Sequence, residues 1–259
     1  MLKVASIQLE ISDAYSKERR LRHVEELLAG LAGYQLILLP EIWNIGYFSF
    51  DVYQEGGEAL DGETVLRMAK QARKLGAYLF AGSLVERAGD AMYNTSVLLN
   101  PRGEVAATYR KMHLFGYGSA EATLLSRGEE IVAVPTKIGT LGLSTCYDLR
   151  FPELYRKLVD KGAEVFLVAS AWPYPRLEHW KALNRVRAFE NQCFLISSNC
   201  VGVNRGSRFC GHSAIVDPWG VPVASGGDHE TVLKAEIDVQ MVHRVRADFP
   251  ALQDRVIPI

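Results

Sequence analysis

Short apolar runs alternate with stretches of helical periodicity along this whole chain, and no other feature restricts its fold as much. VASIQL (4–9) alternates like a strand. Residues 16–31 place Leu21, Val24, Leu27, Leu28 and Leu31 on one helical face, with Gly33 as the expected stop. QLILLP (35–40) is apolar almost throughout, as a strand covered on both faces should be. Residues 62–75 carry Val65, Met68, Ala69, Ala72 and Leu75 at helical spacing and end at Gly76. AYLFAGSLVE (77–86), MYNTSVLLN (92–100) and EVAATYRK (104–111) follow as strands, with a Pro101-Arg102-Gly103 turn before the last.

The second half repeats the plan. A strand IGTLGLSTC (138–146) leads to a helix over 152–161, and a strand EVFLVAS (164–170) leads to a helix over 176–191. Trp180, Leu183, Val186 and Ala188 are among the apolar positions of that second helix. CFLISSN, SAIVDPWGVPVAS and TVLKAEID then read as strands. Strands alternating with helices predict an α/β fold. SVLLNPRG (96–103) is similar to SAIVDPWG (213–220), and GYQLILLPEIW (33–43) to GAEVFLVASAW (162–172). Either the chain contains a duplication, or Asx-Pro-X-Gly is simply a favourable turn. No Pro/Gly/Ser-rich linker divides the halves, so residues 1–259 are expected to form one domain.

Bulk properties exclude several classes of function. A formal charge of −1 gives no general attraction to nucleic acid or an anionic membrane. The apolar runs are too short to cross a bilayer. MLKVASIQLE lacks a basic stretch followed by an apolar core, so no secretion signal is expected. The cysteines at 146, 193, 200 and 210 are therefore expected as free thiols in a reducing cytoplasm. Cys193, Cys200, Cys210 and His212 do not follow the paired spacing of a zinc site.

Ligands of open α/β sheets gather at strand ends, and three reactive side chains stand at or just beyond such ends: Glu41, Lys111 and Cys146. Alone, each has a plain explanation: a solvated carboxylate, a surface cation, a small buried residue. Together they make a site. A thiol attacks as thiolate and needs a base or a nearby cation. Glu41 can take the proton, and Lys111 can stabilise the thiolate and then an oxyanion. Amides at the start of helix 152–161, and that of Tyr147, can add oxyanion donors. A Cys–His pair with His113, His179 or His212 is the competing arrangement.

LPEIWNIGY (39–47), YRKMHLF (109–115) and CYDLRFPELYR (146–156) resemble, in order, the three signature blocks of the nitrilase, or carbon–nitrogen hydrolase, superfamily. The resemblance covers essentially the whole chain. It implies an αββα sandwich, a homodimer or higher homo-oligomer in which two sandwiches form an αββααββα assembly, and a Glu41–Lys111–Cys146 triad. Glu121 in SAEATLLSRG matches the family's second glutamate, with Gly128 seven residues on. It would orient Lys111 and the substrate nitrogen.

Within the superfamily, CYDLRFPE with ASAWPYPRLEHWKALNRVRAFENQ (169–192) and FCGHSAIVDPWG (209–220) most resembles the ω-amidase branch. That branch implies a small carboxylate-bearing amide as substrate, such as an α-keto acid ω-amide, and a cysteine thioester that forms as ammonia leaves. Arg176 beside Trp172 would grip the carboxylate, and Tyr47 would hydrogen-bond the substrate. Equally, Arg176 can pair with Glu178 or Glu190, and Tyr47 can be a packed aromatic. A nitrilase, an N-carbamoyl-amine amidohydrolase and a catalytically silent binding relative are the alternatives. None of these readings asks for a metal or a cofactor.

Overall fold

Two β-sheets pack face to face, with helices on both outer faces. The computed structural model describes residues 1–257; residues 258 and 259 of the expected domain lie outside the described residues. The first half runs β1 (Leu2–Ser12), α1 (Lys17–Ala29), β2 (Leu36–Leu38), α2 (Tyr53–Gly56), α3 (Glu63–Leu75), β3 (Tyr78–Ala88), β4 (Ala91–Leu99), β5 (Val105–Arg110) and α4 (Glu121–Leu124). The second runs β6 (Ala133–Thr136), β7 (Gly139–Thr145), α5 (Pro152–Asp160), β8 (Val165–Ala169), α6 (Leu177–Asn191), β9 (Phe194–Ser198) and β10 (Cys200–Asn204). It ends with β11 (Ser207–Arg208), β12 (Ala214–Val216), β13 (Pro222–Ser225), β14 (Thr231–Ile237) and α7 (Gln240–Asp248).

One sheet has the order β11-β10-β1-β2-β3-β4-β5, with β14 also beside β1; the other has β13-β12-β9-β8-β7-β6. Helices α1 and α3 cover the first, α5 and α6 the second, giving the expected αββα layers. The central strands are sealed on both faces: every residue of β2, β8 and β9 is buried. That burial explains why they read as unbroken apolar runs rather than alternating ones.

The two sheets repeat one path. β1, β2 and β3 pair in parallel, then β4 and β5 antiparallel; β7, β8 and β9 pair in parallel, then β12 and β13 antiparallel. The matched turns also share their hydrogen bonds. Asn100 Oδ1 accepts the Arg102 and Glu104 N–H groups at 2.8 and 3.1 Å, and Asp217 Oδ1 accepts those of Trp219 and Val221 at 2.9 Å each. The similar segments thus stand at equivalent places, and Asx-Pro-X-Gly is a good turn in both.

Several expectations shift. Helix α1 stops at Gly30, whose N–H closes on Leu27 and Leu28, before the expected Gly33. Helix α6 buries Trp180, Asn184, Arg187, Ala188 and Asn191, leaving Leu183 and Val186 partly exposed. The polar stripe has work: Arg187 Nε donates to the Leu149 carbonyl at 2.9 Å, in the short 3₁₀ turn Cys146–Arg150. Strands β6, β10 and β11 and helix α7 had no counterpart in the sequence reading. Among the described residues no helix is long and apolar enough to cross a membrane.

Candidate active site

Glu41 follows β2 at the sheet end, where the chain bends sharply. Gly82 in β3 makes room for that bend: its φ is +69°, and a Cβ there would lie 1.9 Å from the Pro40 carbonyl oxygen. The Ile42 N–H donates to Ser83 Oγ at 3.2 Å, fixing the residue after Glu41. Across the sandwich, the Ala171 N–H at the end of β8 donates to Glu41 Oε2 at 2.8 Å. The carboxylate is fully buried.

Lys111 leaves β5 and ends fully buried between two carboxylates, also fully buried. Its Nζ lies 2.8 Å from Glu41 Oε1 and 2.9 Å from both oxygens of Glu121. Asn94 of β4, absent from the sequence reading, joins both acids: its Nδ2 donates to Glu41 Oε1 at 2.8 Å and Glu121 Oε1 at 2.7 Å. The Tyr47 hydroxyl, expected at the substrate, donates to Glu121 Oε2 at 3.0 Å, and the Phe115 N–H joins it at 2.7 Å. Gly128 is required as the loop returns: its N–H donates to the Lys111 carbonyl at 2.9 Å, and a Cβ would sit 2.0 Å from the Arg110 carbonyl oxygen.

The electrostatics follow from burial. Desolvation opposes charge on Lys111, but Glu121 and Glu41 outweigh it and hold the ammonium protonated. Burial raises the Glu41 carboxyl; Lys111 pulls it back and Glu121 pushes it further up. Lys111→Met should therefore strand two carboxylates without a counter-charge and cost about 3–5 kcal/mol of stability. Urea unfolding checks this: the deficit should be largest at neutral pH and shrink as the raised Glu41 carboxyl protonates. Parent-like stability at pH 7 would refute the charge balance.

Cys146 directly follows β7 and begins the 3₁₀ turn with φ +48°, a strained value for a residue with a side chain. Its thiol and the Glu41 carboxyl are close enough to shift each other's proton affinity. Ser170 and the Ala171 backbone, just after β8, each favour the thiolate, and the buried Ser170 hydroxyl has no hydrogen-bond partner among the described residues. Burial and then Glu41 push the thiol well above its ordinary pKa, against the pull of Lys111. At rest the sulfur is a thiol, so no standing thiolate is stabilised there. The turn Cys146–Arg150 stands between the sulfur and α5, which begins at Pro152 as expected, and the Tyr147 N–H directly follows Cys146.

A narrow pocket is lined by Cys146 together with Tyr47, Phe115, Tyr147, Trp172 and two arginines, Arg150 and Arg176. Tyr147 packs edge-on to Phe115 at 5.1 Å between ring centroids, and the Trp172 Nε1–H donates to the Arg176 carbonyl at 3.0 Å. Arg176 pairs with neither Glu178 nor Glu190; its guanidinium lies over the Phe115 ring at 5.3 Å. Arg150, the second residue missed, lies over Trp172 at 4.8 Å. Burial and the neighbouring Arg176 cation lower its pKa. Among the described residues neither arginine has a carboxylate partner.

The competing arrangements find other partners. His113 Nδ1 lies 2.7 Å from Asp148, His179 Nδ1 3.2 Å from Arg150, and His212 Nε2 3.3 Å from Asp228. Cys193 Sγ donates to the Ala163 and Asn191 carbonyls at 3.2 Å each, and Cys210 Sγ lies 3.4 Å from Asn199 Nδ2.

Comparison with known proteins agrees with this geometry. The family model described as carbon–nitrogen hydrolase matches residues 3–247. The 2-oxoglutaramate amidase of Paenarthrobacter nicotinovorans is 38% identical over 262 residues, spanning 98% of this chain and 89% of the relative. That of Bacillus subtilis (strain 168) is 39% identical over 220 residues, 85% and 84% of the two chains. A solved CN-hydrolase superfamily protein of Xanthomonas campestris, with an arsenic adduct in its active site, superposes with a TM-score of 0.92. It is 31% identical, and the match covers 100% of this chain and 98% of that one.

Proposed function

The chain belongs to the carbon–nitrogen hydrolase family, and from that premise we propose that it is an ω-amidase. It would release ammonia from a small amide bearing a carboxylate, such as 2-oxoglutaramate. One observation carries the choice of substrate: two guanidiniums without carboxylate partners, Arg150 and Arg176, line the same pocket as the Cys146 thiol. Cations left unpaired in an apolar pocket favour an anion that completes them. A substrate with its carboxylate at these arginines presents its far amide to the sulfur.

In the proposed reaction, Cys146 attacks the amide carbon as Glu41 takes the thiol proton. The oxyanion lies between Lys111 and the Tyr147 N–H. Three ammonium protons serve Lys111: one holds Glu41, one can be shared by the two Glu121 oxygens, and the third is left for the oxyanion. Glu41 returns its proton to the nitrogen, ammonia leaves, and a thioester remains. Water activated by Glu41 then frees the acid and the thiol. Glu121, through Lys111 and Tyr47, keeps the ammonium in place. A cytoplasmic location, a single domain over the chain and a homodimer or higher oligomer belong to the same reading.

Ammonia release from 2-oxoglutaramate, 2-oxosuccinamate, glutamine, a simple nitrile and an N-carbamoyl amino acid tests it. The keto-acid amides should give the highest kcat/KM; if they rank last, the branch falls and the family stays. Arg176→Ala and Arg150→Met should each raise KM for 2-oxoglutaramate about 10- to 100-fold, the worth of a charge-assisted hydrogen bond. Hydrolysis of propionamide, which has no carboxylate, should hardly change. Equal losses on both substrates would remove the anion-binding role.

A further inference from the structure

One buried carboxylate outside the proposed reaction ties the nucleophile's turn to both sides of the lysine. Asp148, fully buried two residues after Cys146, accepts from the Thr145 N–H at 2.9 Å and the Tyr109 hydroxyl at 2.7 Å through Oδ2. Its Oδ1 accepts from the His113 N–H at 3.2 Å and meets His113 Nδ1 at 2.7 Å. Tyr109 and His113 stand two residues before and two after Lys111. An ionised carboxylate only accepts, so the facing imidazole nitrogen carries a proton. The His113 ring is held flat on Phe151, with centroids 3.7 Å apart and planes 7° from parallel. Thr145 is tied to β4 as well, through Ser96 Oγ at 2.8 Å.

Cys146 needs such support. Its left-handed backbone is one that a side-chain-bearing residue leaves unless its neighbours hold it. Thr145 and Asp148 close a capping box over it, and the remaining donors to Asp148 come from the segment carrying Lys111. We infer that Asp148 and His113 are positioning residues for amide hydrolysis. Asp148 fixes the sulfur relative to Lys111 and Glu41, and His113 acts through its Nδ1–H as a donor to Asp148 without carrying a proton in the reaction. The inference rests on the reading of Cys146 as nucleophile.

His113→Asn and His113→Leu separate the possibilities, because an asparagine amide nitrogen sits as many bonds from Cβ as imidazole Nδ1 does. His113→Asn should keep kcat within about 3-fold and leave the pH profile of kcat/KM unchanged. His113→Leu should lower kcat about 10-fold or more at nearly constant KM, and Asp148→Asn about 100-fold, the scale of an ångström-sized misplacement. Each kcat is taken per folded molecule, by circular dichroism. If His113→Leu keeps its kcat per folded molecule, the positioning role is overturned. If His113→Asn is as slow as His113→Leu and loses a limb of the pH profile, the ring carries protons and the inference fails. Should Asp148→Asn not fold, the histidine pair decides. Iodoacetamide on the parent protein tests the underlying reading separately: activity surviving full alkylation of Cys146 would remove the nucleophile, whatever the histidine variants do.

Discussion

Cys146→Ala should lower kcat for amide hydrolysis by about 10⁴- to 10⁶-fold, the scale seen when a covalent nucleophile is deleted. In the proposed mechanism the sulfur, which lines the pocket, bonds to the amide carbon, and Glu41, whose charge acts on it, takes its proton. Without it, Lys111 and the Tyr147 amide can still polarise a carbonyl, but there is nothing to form the thioester. Folding should survive, because the thiol is small and neutral at rest. Cys146→Ser should be nearly as inactive: an alcohol in so buried a site is harder still to ionise. Ammonia release, with circular dichroism as the folding control, measures both variants. Quenching the parent during turnover should show the acyl mass on the peptide that contains Cys146. Parent-like activity in Cys146→Ala would end the covalent mechanism.

Much of this was legible because the reactive residues interrupt clear patterns. Glu41, Lys111 and Cys146 each end an apolar strand run, and charge or thiol at a sheet end is where α/β proteins place chemistry. Asn94 was hidden for the opposite reason. It lies inside a strand, where a polar residue ordinarily reads as the solvent-facing half of an alternation. Only the register of β4 against β5 turns it towards the two acids.

Arg150 was concealed by local geometry. It lies before the expected helix and so had no assigned direction, and it is the 3₁₀ turn, closed by the Thr145–Asp148 capping box, that carries it to Trp172. The polar stripe of α6 defeated an apolar-periodicity reading, since its buried members are satisfied by carbonyls: Arg187 by that of Leu149 in the same turn, Asn184 and Asn191 by those of Trp180 and Arg187 in the helix itself. Strand β6 was obscured by Pro135 in a four-residue edge strand, and β10 by Gly202 at φ +87°. Helix α7 did leave a signal, Val242 and Val245 three residues apart on its buried side.

Glu41→Gln should lower kcat about 10³-fold, within the range that general acid–base groups contribute, and should also change the shape of the pH profile. The reasoning is one of charge. The form that reacts, with Glu41 unprotonated, holds two carboxylates, one ammonium and a neutral thiol. Ionising the thiol alone would place a third negative charge in a buried site, next to two others. Passing its proton to Glu41 leaves the total unchanged, so attack is feasible only as that transfer occurs. Burial and Glu121 raise the Glu41 carboxyl against the opposing Lys111, which makes it a stronger base than an exposed glutamate. Activity needs the unprotonated form. It is therefore present above the raised pKa and lost as the pH falls through it, so the acid limb of kcat/KM should lie above the ordinary glutamate value of 4.5. Glutamine keeps the shape and an oxygen for Lys111 and Asn94, but it does not titrate, so that limb should vanish while KM holds. A Glu41→Gln enzyme that keeps both its rate and its acid limb would show that some other group accepts the thiol proton.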